Sequence, residues 1–227
     1  MNDYIPVFGS AFLQRAELIA VEAHGSQKRQ FEEAPYWRHL QRVAETVLRY
    51  SGNESLTAAA LFHDILEDTS WNGQQLKERI SAIASPQHAV LILGWVKELT
   101  DQFIKSNYPG WNRKRRKQAE AERLSNVSSE AQTIKYADIM DNSRSLHTGG
   151  QSFAPKYLSE AQTIKYADIM DNSRSLHTGD QSFAPKYLSE ALHLLQVMTK
   201  GNTALRAEAL QVVTQEMTRL NIIIPSR

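Results

Sequence analysis

The chain has 227 residues, with 26 Lys and Arg against 25 Asp and Glu, and it contains no cysteine. This length suits one domain or at most two small ones, and the lack of cysteine excludes disulfides, thiolate metal sites and cysteine nucleophiles. A formal net charge of +1 gives no general attraction to nucleic acid or to an anionic membrane. Because there is neither an apolar run of about 20 residues nor a signal-like amino terminus, the sequence predicts a cytoplasmic protein that binds neither membrane nor nucleic acid.

Apolar residues recur at three- and four-residue spacing along the first half of the chain, which is typical of amphipathic helices. Gly25 and Gly52 are the predicted stops of the first two helices. No stretch alternates as a β-strand does, so the predicted fold class is all-α. The predicted helices of this half cover residues 10–24, 36–50, Ser55 or Thr57 to about Glu67, 72–84 and 86–99.

The second half continues with a charged helix from about Asn112 to Leu124 and then contains a duplication. Residues 129–158 (the first copy) and 159–188 (the second copy) differ only where Asp180 replaces Gly150. A solenoid would show diverged repeats, at least three in number, so we interpret the pair as a tandem duplication. Subtracting 30 residues from 227 leaves 197, and we expect a single domain over 1–227 in which one copy is an insertion. Further helices are predicted at 131–146, 161–176, 185–199 and 202–220.

The strongest local signal for chemistry is the segment LFHDILED, where His63 and Asp64 are followed by Glu67 and Asp68 among apolar residues. In a continuous helix Glu67 lies one turn beyond His63, and Asp68 one turn beyond Asp64. Burying such groups is costly unless a cation or mutual partners compensate, and imidazole with carboxylates suits Mn²⁺, Fe²⁺ or Zn²⁺. A charged helix face with one hydrogen-bonded histidine is the alternative for an isolated His-Asp pair. Two further candidate ligands lie in otherwise apolar helices, His39 and Asp138.

In chain order, these residues resemble the H…HD…D metal pattern of the HD-domain phosphohydrolases. The similarity extends, over about residues 15–146, to small alarmone hydrolases of the Rel/Spo homologue type. The resemblance implies a multi-helix HD-domain bundle that carries one Mn²⁺ and removes the 3′-diphosphate of guanosine tetra- and pentaphosphate. The segments that carry it are AHGSQKRQFEEAPYWRHLQRVA, AAALFHDILEDT, VKELTD and KYADIMDNSRSL.

The resemblance also implies a role for individual residues. Glu67 and Asp68 would orient or deprotonate the attacking water, and Arg29 would stack on the purine base. The other implied substrate contacts are Lys135, Asn142 and Arg144, and the implied metal ligands are His39, His63, Asp64 and Asp138.

The duplication gives every first-copy site residue an identical counterpart in the second copy. Asp168 matches Asp138, and the counterparts of the substrate contacts are Lys165, Asn172 and Arg174. We favour the first copy, because it forms first during synthesis and keeps the direct connection to the preceding helices, and we hypothesise that the two copies are redundant. The apolar face of the unused helix needs cover, which makes a homo-oligomer possible through that helix.

Of two departures from the family pattern, the first leaves the substrate open, and the second alters the entry of the helix and not metal ligation. Gln30 stands where the family has a lysine, and Leu40 stands where it has a proline. An HD-domain phosphatase acting on another nucleotide is therefore an alternative. A non-catalytic helical binding module is a second one, although a water-activating pair such as Glu67 and Asp68 argues against it.

Overall fold

In a computed structural model that describes residues 6–29, 34–148 and 183–222, every regular element is an α-helix. The all-α prediction is therefore confirmed for these ranges, and none of their helices is long and apolar enough to span a membrane. The helices are α1 (Ala11–His24), α2 (Trp37–Ser51), α3 (Glu54–Phe62), α4 (Ile65–Asp68), α5 (Gly73–Ser81), α6 (Pro86–Leu99), α7 (Arg113–Asn126), α8 (Ser129–Thr148), α9 (Phe183–Val197) and α10 (Thr203–Arg219).

Side-chain caps and two glycines set the helix ends close to the predicted bounds. Ser10 caps α1 and Asn53 caps α3, each accepting from a first-turn amide. Gly25 and Gly52 have φ of 53° and 62°, which favours glycine and ends α1 and α2 as predicted. Ser85 caps α6, whose bounds match the predicted 86–99.

The prediction of one continuous helix from Ser55 or Thr57 to Glu67 is wrong, because the observed helix is interrupted at His63 and Asp64. Nδ1 of His63 donates to the Ala60 carbonyl at 2.7 Å, the acceptor that the Asp64 amide would use in an unbroken helix. The chain resumes as α4, and the Asp68 amide donates to the Asp64 carbonyl at 2.8 Å. Asp68 thus lies one turn beyond Asp64 as predicted, whereas the helical relation between His63 and Glu67 is lost.

Helices α2, α3 and α8 pack together at the centre of the described structure. α3 also contacts α1 and α6, and α8 contacts α10. A single apolar cluster runs through them, including the fully buried Leu40, Phe62 and Ile134. The polar residues of the candidate site are therefore carried on the most enclosed helices.

The turn between α9 and α10 packs closely against the first half of α8. The Gly201 amide lies 3.3 Å from both Gln132 Oε1 and Tyr136 Oη. A Cβ at Gly201 would lie 2.5 Å from Cε2 of Tyr136 and 2.9 Å from the Thr133 nitrogen. Only glycine fits this approach without a shift of the turn or of α8.

The described fold takes its parts from both copies of the duplication. α8 belongs to the first copy, whereas α9 begins at Phe183, inside the second copy. The helix predicted over 161–176 lies outside the described residues. The single domain over 1–227 and the homo-oligomer accordingly remain predictions.

Candidate metal centre

Three separate parts of the chain bring two histidines and two aspartates together. His39 comes from α2, His63 and Asp64 from the α3–α4 break, and Asp138 from α8. Nε2 of His39 lies 3.4 Å from Asp138 Oδ1 and 3.7 Å from Asp64 Oδ2. Nε2 of His63 lies 3.1 Å from Asp64 Oδ2 and 3.7 Å from Asp138 Oδ1. The ligand atoms of His39, His63 and Asp64 all lie within 4.8 Å of one another, so these three residues could hold a single cation, and Asp138 Oδ1 adjoins both histidines.

The ring nitrogens of the two histidines show that these residues fit a metal. Nδ1 of His63 is paired with the Ala60 carbonyl, and Nδ1 of His39 lies 2.7 Å from Oδ2 of Asp141. Both Nε2 atoms are buried and have no hydrogen-bond partner among the described residues, whereas buried polar atoms are nearly always paired. With a metal ion bound and the proton of each ring on Nδ1, both Nε2 lone pairs would be free to bind the ion, as in histidine metal ligands.

The charges of the cluster favour a cation. Burial alone would lower the pKa of His63, but the Asp64 and Asp138 carboxylates outweigh it and raise that pKa well above its usual range. Burial alone would raise the pKa of Asp138, but Lys135 and the two histidines hold it well below its usual range. Burial would also raise the pKa of Asp64, but its neighbours, chiefly His63, lower that pKa. The carboxylates are therefore ionised and create a negative potential that attracts a metal ion.

Asp138 is held by two of the residues that the sequence assigns to substrate. Nζ of Lys135 lies 2.8 Å from Oδ2 of Asp138, and Nδ2 of Asn142 donates to Oδ1 at 2.6 Å. Arg29 in turn donates to Oδ1 of Asn142 at 2.9 Å. These contacts orient the carboxylate in the structure, and the substrate roles of Lys135 and Asn142 remain predictions.

The two arginines assigned to substrate lie in different surroundings. The Arg29 side chain is only 8% exposed, and its guanidinium lies 5.9 Å from the centre of the Tyr36 ring. Arg144 donates to Glu208 of α10 at 2.8 Å and is half exposed. Among the described residues Arg144 has no hydrogen bond to the cluster, and its substrate role is a prediction without a contact to support it. The second-copy counterparts Asp168, Lys165, Asn172 and Arg174 lie outside the described residues.

The two carboxylates predicted to activate water are both held by hydrogen bonds, and Asp68 shares its partner with Asp64 of the cluster. The Tyr36 hydroxyl lies 2.6 Å from Oδ2 of Asp64 and 2.9 Å from Oδ2 of Asp68, so one phenol joins the two carboxylates. Glu67 accepts a hydrogen bond from the Asp101 amide at 2.8 Å. Asp68 is therefore oriented by the same tyrosine that binds Asp64, and Glu67 is oriented by the backbone that follows α6.

Sequence reasoning missed three residues of this site. Tyr36 stands in the segment quoted for the family resemblance, but the resemblance gave it no role. Asp141 follows Asp138 by one helical turn, and this spacing alone places both on one face. Tyr187 of α9 carries no signal in the sequence; burial, together with the nearby charge of Asp138, raises the pKa of its phenol.

The fold and the cluster define a helical protein with a candidate His/Asp metal centre, and comparison with known proteins agrees on the fold. A family model described as HD domain matches residues 16–164. The chain therefore belongs to the HD-domain family, as the sequence resemblance predicted.

Three curated relatives carry alarmone-related names. The chain is 33% identical over 94 residues to the GTP pyrophosphokinase rsh of Brucella ovis. It is 36% identical over 91 residues to the guanosine-3′,5′-bis(diphosphate) 3′-pyrophosphohydrolase of Aquifex aeolicus. These matches cover 41% and 40% of this chain but only 12% and 13% of the relatives, so the chain spans a small part of their length. The 3′-pyrophosphohydrolase MESH1 of Drosophila melanogaster is 27% identical over 138 residues, which cover 60% of this chain and 69% of MESH1.

A solved structure shares the fold. It is described as a metazoan ortholog of SpoT that hydrolyzes ppGpp and plays a role in starvation responses. The superposition has a TM-score of 0.61 at 21% sequence identity and covers 96% of this chain and all of the other. At this identity the likeness supports the helical architecture and says nothing of the substrate.

Proposed function

We propose that this chain is a metal-dependent hydrolase that removes the 3′-diphosphate from guanosine tetra- and pentaphosphate. The observation that carries the proposal is the pair of buried, unpartnered Nε2 atoms of His39 and His63, directed at two ionised aspartates. The Aquifex and Drosophila relatives, which are named for this reaction, support the choice of substrate.

The proposed metal ligands are His39, His63, Asp64 and Asp138, with Mn²⁺ as the proposed ion. Nitrogen and carboxylate donors without a thiolate suit Mn²⁺, although the same set also binds Fe²⁺ or Zn²⁺. When bound, such an ion lowers the pKa of its water and polarises the phosphoryl group.

The remaining residues provide orientation and proton transfer. Asp68 accepts a proton from the attacking water, a role supported by the Tyr36 hydroxyl that its carboxylate shares with the ligand Asp64. Glu67, whose carboxylate accepts a hydrogen bond from the Asp101 amide, orients that water. Lys135 contacts Asp138, Arg29 contacts its partner Asn142, and these two cations offset the charge of an incoming phosphate.

Product analysis with guanosine tetraphosphate and Mn²⁺ tests this proposal. The expected products are diphosphate and a guanosine 5′-diphosphate, with no turnover by an Asp64→Asn variant. Release of orthophosphate instead, or turnover of other nucleotides only, would favour an HD-domain phosphatase of different specificity. Inactivity on a nucleotide panel, with no bound metal by elemental analysis, would favour a non-catalytic helical module.

A further inference from the structure

The imidazole of His39 lies between two carboxylates of the same helix. Its Nε2 is 3.4 Å from Oδ1 of Asp138, and its Nδ1 is 2.7 Å from Oδ2 of Asp141. Both aspartates belong to α8 and are three residues apart, so they project from adjacent turns of one face. The helix that carries one proposed metal ligand therefore also fixes the ring of another.

Asp141 is itself fixed by an arginine from the helix that carries His39. Nε of Arg42 lies 2.6 Å from Oδ1 of Asp141, and a terminal nitrogen lies 3.1 Å from Oδ2. A terminal nitrogen of Arg29 is 3.8 Å from Oδ2. Because the guanidinium of Arg42 donates to both of its oxygens, the Asp141 carboxylate accepts hydrogen bonds and donates none.

We propose that Asp141 is a positioning residue whose Arg42-bound carboxylate keeps the His39 proton on Nδ1 and so preserves Nε2 as a metal ligand. The proposal rests on the proposed function only in that the cluster binds a metal. Its carrying observation is the bridging geometry, in which one buried carboxylate contacts His39 and Arg42, themselves one turn apart on α2.

An ion pair between Arg42 and Asp141 alone does not account for this geometry. His39 is fully buried, and Asp141 is the hydrogen-bond partner that the structure gives to its Nδ1. An asparagine at position 141 would present its oxygen to the donors of Arg42 and its NH₂ to His39. Nδ1 would then have to accept a hydrogen bond, and the proton would move to Nε2, where it blocks metal ligation.

The test uses the full chain and two measurements that do not depend on catalysis. Residues 159–178 repeat 129–148 without a difference, so the variant is Asp141→Asn with Asp171→Asn, which prevents replacement by the identical segment. Calorimetric titration with Mn²⁺ should show an affinity about 10- to 100-fold weaker than that of the wild type. Nitrogen-15 NMR of the metal-free protein should show His39 changing from the Nδ1–H to the Nε2–H form, its signals being assigned by their loss in His39→Gln.

Glu190→Gln is the matched control, because Glu190 also joins two helices through an arginine, Arg113, without a described contact to the cluster. Its Mn²⁺ affinity and its His39 tautomer should equal those of the wild type. The double variant Asp141→Glu with Asp171→Glu should recover the Nδ1–H form in part, since a carboxylate is restored.

Several outcomes would overturn the proposal. One is a folded Asn variant with wild-type Mn²⁺ affinity and an unchanged tautomer. Another needs no variant: an Nε2–H form of His39 in the metal-free wild type contradicts the proposed role directly. Failure of the proposed function is a separate result, in which the wild type binds Mn²⁺ but does not cleave guanosine tetraphosphate. Absence of Mn²⁺ binding by the wild type would overturn both.

Discussion

The two histidines of the cluster are supported in different ways. Nδ1 of His63 pairs with a neutral carbonyl three residues earlier in its own helix, whereas Nδ1 of His39 pairs with an ionised carboxylate 102 residues away. The His63 half of the site, at the α3–α4 break, is therefore set by local sequence. The His39 half exists only when α2 and α8 are packed together. Because a carboxylate partner raises the basicity of an imidazole ligand more than a carbonyl does, long-range packing contributes directly to the properties of the site.

The largest expected effect comes from removing the locally supported ligand. His63→Ala leaves a buried gap beside Asp64 and removes one proposed ligand. We therefore expect turnover of guanosine tetraphosphate to fall by about 1,000-fold or more. Turnover and Mn²⁺ content by elemental analysis measure the loss. His193→Ala is the control, since His193 is an exposed residue of α9, and it should behave as the wild type. Near-normal activity of His63→Ala would contradict the assignment of the metal site.

The second prediction uses the duplication. Asp138, the proposed ligand on α8, has an identical counterpart in the second copy, whereas the His63–Asp64 pair occurs once. If the two copies are redundant, Asp138→Ala and Asp168→Ala should each retain metal and activity, whereas the double variant should lose both. The structure places Asp138 against the histidines. Loss of activity in Asp138→Ala alone would refute redundancy and assign the ligand to the first copy.

The difference between the two halves also explains what the sequence could predict. Local signals were sufficient for the helices, since caps and glycines lie within a few residues of the ends that they set, as at Gly52 and Ser85. Periodicity did not predict the break at His63, because it results from a side-chain bond to the Ala60 carbonyl.

The partners of the site residues were less predictable than the residues themselves. The order of His39, the His63–Asp64 pair and Asp138 was visible, and the structure brings these residues together. Asp141 was overlooked because its role depends on two residues of α2 about 100 positions away in the chain. Family resemblance placed Lys135 near the site, but it could not show that Lys135 contacts Asp138.

The third prediction concerns the pH dependence of stability that His24 causes. His24 lies beside the His63 half of the site. His24 stacks on Tyr36 with a centroid distance of 4.7 Å, and Tyr36 binds Asp64. Burial, opposed by the hydrogen bond to Gln27, lowers the pKa of His24 from 6.5 to about 4. Below pH 6.5 the unfolded chain therefore takes up a proton that the folded chain resists, and stability falls until about pH 4.

His24→Gln removes this titration and isolates its contribution. The wild type should lose about 3 kcal/mol of unfolding free energy relative to His24→Gln between pH 7 and pH 4. Urea unfolding at several pH values, with chelator present in every sample, measures the difference. A difference between wild type and variant that stays constant with pH would show that His24 does not titrate in this way.

The smallest expected effect tests whether the position of α8, against which Gly201 packs, matters for the His39 half of the site. Gly201→Ala forces its Cβ against Tyr136 and the Thr133 backbone, and such overpacking costs about 1–3 kcal/mol of unfolding free energy. Because α8 also carries Asp138 and Asp141, the folded variant should bind Mn²⁺ more weakly than the wild type. Gly94→Ala on α6 is the matched control, since nothing lies within 4 Å of a Cβ there, and alanine in a helix interior stabilises by up to about 1 kcal/mol. If Gly201→Ala lowers stability and leaves Mn²⁺ affinity unchanged, the close approach of Gly201 to α8 does not determine the geometry of the His39 half.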